Sequence, residues 1–218
     1  MLRTRYINEL ENLKNEIILY SAIVEKMLMD LKVAIENADA GEVSKTSLKE
    51  LALKEDEISD YNRSIESLCL KIMSTQQPVA KDLRFVSSTL NIIRNIEKIG
   101  GHVIEIANLL SFMKLDLGFT EEILEMTLAN KKMLKSAVDA FITLDLEESY
   151  KVIASDDKID AIFYHIMQEV IKGIGEKKED AEKYIDTLQV AKYLERIGDN
   201  AQAIGDWNVF SITGKHYE

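Results

Sequence analysis

Apolar residues recur at helical spacing along nearly the whole chain. The first run sets the pattern: Leu10, Leu13, Ile17, Leu19, Ile23, Met27 and Leu31 mark one face of a long helix. Interruptions are few. The stretch NADAGE around Gly41 is the first, and a second helical run then extends to about Met73. STQQPVAKDLRF breaks that run with the only proline, Pro78, placed where a helix would start at its first turn. A third helix carries LNIIRNIEKIGGHVIEIANLL. FMKLDLGFT then loses the period and supplies a glycine, which makes it the best linker. Beyond it the order repeats: a helix near 120–144, another over about 146–173, a short GEKKED break and a last helix over roughly 179–210.

The repetition extends to single positions. Glu97 matches Glu195, Ile99 matches Ile197 and Gly100 matches Gly198, a constant offset of 98 residues. Glycine inside a helix costs about 1 kcal/mol relative to alanine. Its presence at the same place in both copies therefore implies close approach of a neighbouring helix. The expected fold is all-α: two tandem three-helix bundles related by a pseudo-twofold, residues 1–112 forming the first repeat and 113–218 the second.

Composition narrows the class. Hydrophobic residues make up 46% and charged residues 30%, with one Pro and nine Gly, so helix breakers are scarce. A net charge of -11 with acids spread along the chain argues against nucleic acid and anionic membrane as partners. The single cysteine, Cys69, precludes an intrachain disulfide and fits a reducing compartment as a small buried apolar residue. The N-terminal stretch lacks an uninterrupted signal-peptide core, and no run reaches the roughly eighteen apolar residues of a membrane span, so a cytoplasmic protein is expected, without membrane insertion. No Gly-rich phosphate loop, nucleophile elbow or Cys-x-x-Cys is present, which leaves nucleotide hydrolysis and covalent catalysis without a basis.

Candidate chemistry lies in the acids of the second copy. On the last helix, Leu188, Ala191, Leu194, Ile197, Ala201 and Ile204 form the apolar stripe, and Glu195, Asp199, Gln202 and Asp206 line up beside it. A solvated acidic face tolerates such spacing, since like charges four apart destabilise a helix by only about 0.2–0.5 kcal/mol per pair. Two observations point further. Asp156 and Asp160 lie four apart on the preceding helix, and three-helix packing would bring them against Glu195 and Asp199. Four such carboxylates suit a hard or borderline cation such as Mg, Mn, Fe, Ca or Zn. In the first copy Asp156 and Asp160 correspond to Glu55 and Ser59, while Asp199 and Asp206 correspond to Gly101 and Asn108. Both helices of that copy lack the second acid, as loss of a shared ligand set would produce. His102, His165 and His216 show no ligand spacing with one another.

QQPVAKDLRF leading into NIEKIGGHVIEIA, with YLERIGDNAQAIGDWNVFSITGKHY closing the chain, resembles the PhoU family of regulators of phosphate-specific transport. The resemblance spans essentially all 218 residues in family order. It implies a non-enzymatic protein that acts with the phosphate ABC transporter ATPase and a phosphate-sensing histidine kinase, restraining uptake and starvation signalling when phosphate is plentiful. Some relatives bind iron or other metals through acid-x-x-x-Asp motifs. Carried over, these match Asp156 with Asp160 and Glu195 with Asp199, with Asp206 standing where relatives often carry glutamate. The implied cofactor is a divalent or iron ion of open identity. Ser59 and Gly101 depart from the pattern. A carboxylate-bridged metal-binding or metal-storage protein is the alternative, and a homodimer is left open.

Overall fold

Long apolar stripes with few breakers produce long helices. The structure, a computed structural model, describes residues 2–39, 45–113 and 118–217. The helices are α1 (Leu2–Asp39), α2 (Lys45–Ala52), α3 (Glu55–Gln76), α4 (Ala80–Phe112), α5 (Thr120–Thr143), α6 (Leu146–Glu176) and α7 (Ala181–Thr213). Among the described residues there is no strand, and no helix is long and apolar enough to cross a membrane. The expected break around Gly41 and the centre of the expected linker, 114–117, lie outside the described residues.

Two boundaries differ from the periodicity. Pro78 stands two residues before α4, behind an extended Val79 at the N-cap, instead of inside the first turn. The second helical run is split at Leu53 and Lys54 into α2 and α3. No Gly or Pro marks that split. Glu55, Asp56 and Glu57 occupy the first turn of α3, where acids complement the partial positive charge of a helix N-terminus. In the second half the corresponding helix, α6, runs unbroken. Asp145 starts it, its carboxylate accepting from the Glu148 N–H at 2.9 Å. Leu144, with φ 58, closes α5 just before it.

The first half (α1 to α4) and the second (α5 to α7) pack on each other and share one hydrophobic core. α4 packs along α7 and α1 along α5, so these two helix pairs form the junction. Leu13, Ile17, Met27 and Leu31 of α1 are buried as its stripe requires, whereas Leu19 is exposed. Phe85 of α4 stacks on Phe141 of α5 across the junction, centroids 4.6 Å apart. Cys69 lies buried in this core.

Candidate metal centre

α6 and α7 approach at two glycines one heptad apart on α7. A Cβ on Gly198 would sit 2.5 Å from Asp156 Oδ1 and 3.1 Å from Ile159 Cδ1. A Cβ on Gly205 would meet Ile153 at 2.9 Å and the Ser149 carbonyl at 3.3 Å. This seam is the close approach that the repeated glycine implies. It sets an acid of α6 directly against the backbone of α7.

Asp156, Asp160 and Asp199 each present a carboxylate oxygen within 4.8 Å of the others. Asp156 is buried at 2% exposure, and its Oδ1 has no hydrogen-bond partner. Burial, then the charges of Asp160, Asp199, Glu195 and Asp157, push its carboxyl up to about 7. Asp160 and Asp199 are raised as well, by burial first and then by Glu195 foremost among their acidic neighbours. An ionised cluster of this kind is destabilising by itself, since each carboxylate loses water and faces others of like sign. A divalent cation relieves both effects, and an all-oxygen donor set suits a hard ion. The orphaned, buried Asp156 Oδ1 is the feature that fits such an ion.

Glu195 stands at the edge of this group. Its Oε1 accepts from Lys192 Nζ at 2.5 Å, its Oε2 is buried without a partner, and its charge acts on all three aspartates. Asp206, the fifth expected ligand, is engaged elsewhere. It lies two helical turns beyond Asp199, about 10 Å along the axis, where Oδ2 meets His216 Nδ1 at 2.6 Å and Oδ1 accepts from the Tyr217 N–H at 2.7 Å. Trp207 and Phe210 pack on the His216 ring, so this carboxylate ties the C-terminal segment to α7.

Asn130 of α5 belongs beside the cluster and is not evident from acid spacing. It is fully buried, donates to the Leu194 carbonyl at 2.8 Å, and leaves Oδ1 without a partner, 3.4 Å from the Cβ position of Gly198. A lone amide on the buried stripe of Ile123, Met126, Met133 and Leu134 is the signal that marks it.

Among the described residues the first half lacks this arrangement. Ile58 fills the space against Gly100, its Cδ1 3.0 Å from the Cβ position there. Glu55 is exposed at the start of α3, Ser59 accepts from Arg63, and Gly101 faces open space. Glu97 is held by Asn62 Nδ2 at 2.8 Å.

Comparison with known proteins agrees with this two-part arrangement. The family model described as PhoU domain matches twice, over residues 17–110 and 123–207. A phosphate-specific transport system accessory protein PhoU homolog of Clostridium acetobutylicum is 30% identical over 222 residues, covering 100% of this chain and 99% of that protein. One from Borreliella burgdorferi is 28% identical, covering 99% and 98%. Crystal structures of PhoU from Pseudomonas aeruginosa and of the phosphate transport system regulatory protein PhoU from Streptococcus pneumoniae share the fold. Their TM-scores are 0.87 and 0.89 at 23% and 22% identity, covering 96% and 98% of this chain and 100% and 99% of theirs. With both copies of the repeat matched and relatives aligned from end to end, the chain belongs to the PhoU family.

Proposed function

We propose that this protein is a non-enzymatic regulator that restrains the phosphate ABC transporter and phosphate-starvation signalling when phosphate is plentiful. The observation that carries the reading is the end-to-end relation to proteins named as accessory to phosphate-specific transport. The partners we assign are the transporter's ATPase and the phosphate-sensing histidine kinase, met in the cytoplasm through the helical surfaces. Deleting the gene is expected to raise phosphate uptake and switch on starvation genes at high phosphate, and the intact gene to reverse both. Unchanged uptake and expression in a clean deletion would sink the reading.

We further assign a metal-binding role to Asp156, Asp160 and Asp199, with Glu195 at their edge. A bound cation would supply charge neutralisation and a link between α6 and α7. What the chain itself does is hold the three carboxylates together, through the Gly198 approach and the burial of Asp156. Elemental analysis of protein purified without chelator, beside an Asp160→Asn, Asp199→Asn variant, tests this. Metal present in the wild type and absent from the variant is the expected result. If the deletion changed cellular metal content and left uptake untouched, the metal-storage alternative would replace the regulatory reading.

A further inference from the structure

Glu195 is the one acid of the group that already holds a cation. Lys192 lies one turn earlier on α7, and its Nζ sits 5.0 Å from the centroid of the Phe163 ring of α6 while donating to Glu195 Oε1 at 2.5 Å. Lys192 is 43% exposed and Glu195 13%, so the ammonium reaches a mostly buried carboxylate. Its charge also acts on Asp160 and Asp199, against the mutual repulsion of the acids.

The first half shows that this pairing is not forced by the repeat. The register that pairs Asp156 with Glu55 also pairs Phe163 with Asn62 and Met167 with Glu66, and Lys192 falls opposite Arg94. There Asn62 donates to Glu97, and Arg94 turns to Glu66 at 3.6 Å. In the second half Phe163 has no donor to offer and Met167 no carboxylate. Lys192 therefore has no equivalent of Glu66 to turn to, and Glu195 has no equivalent of Asn62 to hold it.

We propose that Lys192 is a tethered cation that competes with a metal ion for Glu195. The inference rests on the metal-site reading above. With the ammonium in place, Asp156, Asp160 and Asp199 are left to the ion. Coordination through Glu195 Oε1 breaks the Lys192 pair, and coordination through its unpartnered Oε2 shares the carboxylate with the ammonium, so either way the affinity of the site is lowered by that competition. The face of Phe163 keeps a position for the displaced ammonium.

The test is calorimetric titration of Mn(II) into the full chain after chelation, for wild type, Lys192→Met, Lys192→Arg, and Lys192→Met in a Glu195→Gln background against Glu195→Gln alone. Lys192→Met is expected to bind Mn(II) about tenfold more tightly, and Lys192→Arg to stay within about threefold of wild type. In the Glu195→Gln background the gain should shrink below about threefold, because the competition needs the carboxylate. Unchanged affinity in Lys192→Met overturns the proposal. So does an equal gain in both backgrounds, which would make Lys192 only a charge acting through space. Binding by wild type that is abolished in Asp160→Asn, Asp199→Asn yet indifferent to Lys192 sinks this inference and leaves the metal site standing. No Mn(II) binding by any of these proteins sinks both.

Discussion

At the scale of single residues, Gly198 and Asp156 form one device. Alanine at Gly198 gains up to about 1 kcal/mol of helix propensity, but its Cβ would fall 2.5 Å from Asp156 Oδ1. Gly198→Ala is therefore expected to destabilise the protein by about 2 kcal/mol in urea titrations and to weaken metal binding. At Gly100 the neighbour is the flexible end of Ile58 at 3.0 Å, so Gly100→Ala should be nearly neutral. Equal losses at the two glycines would contradict the assigned role. Asp156 also gives the metal-free protein a pH signature. Its carboxyl titrates near 7 when folded against 3.8 as the ordinary value. Below about pH 4 the group is protonated in both folded and unfolded states and contributes nothing. As pH rises through about 7 the unfolded chain ionises first, and the folded state is penalised by an amount on the order of a few kcal/mol. Wild type minus Asp156→Asn should show that fall in urea titrations between about pH 4 and 7, and saturating Mn(II) should remove it.

At the scale of helices, the split between α2 and α3 distinguishes the two halves, and among the described residues the carboxylate cluster lies in the second half alone. Glu55 opens α3 and is exposed, while its counterpart Asp156 lies deep in an unbroken α6. Restoring the missing acids with Ser59→Asp and Gly101→Asp is therefore expected to add no second metal equivalent. Glu55 remains exposed and Asn62 still holds Glu97. A doubled metal content in that variant would show that loss of acids alone separates the halves. The periodicity made the long helices legible, along with the approach at Gly100 and Gly198 and the convergence of Asp156, Asp160 and Asp199. It did not show the split at Leu53, because no breaker residue marks it. It also grouped Asp206 with the other acids, since wheel position carries no information on axial distance or on a C-terminal segment that folds back to take the carboxylate. Asn130 and Lys192 escaped for a related reason. One is a lone amide and the other a common surface cation, and only the packing of α5, α6 and α7 brings them to the acids.

At the scale of the whole molecule, two copies of a repeat share one hydrophobic core. α7 packs against α4 as well as α5 and α6, and α5 packs against α1, so each half covers part of the other's apolar surface. Phe141 loses its stacked partner Phe85 if the halves are separated. Segments 1–112 and 113–218 expressed apart are therefore expected to keep much of their helical far-UV signal. Each should lack near-UV dichroism and a sharp melt, as chains do when secondary structure survives without fixed packing. Mixing them should restore one transition, because the junction of α1 with α5 and of α4 with α7 rebuilds the shared core. A sharp, independent transition in the second segment alone would mean that the halves are autonomous domains. In the intact chain, Mn(II) at a hundred times its dissociation constant should then stabilise the whole by about 2.7 kcal/mol, a shift of roughly 5–10 °C for a domain of this size. Because the core is shared, that shift should appear in a single transition reported equally by Trp207 fluorescence and by total helicity. A shift confined to one of two resolved transitions would place the stabilisation in the second half alone, and occupancy at Asp156 would have no path to surfaces of the first.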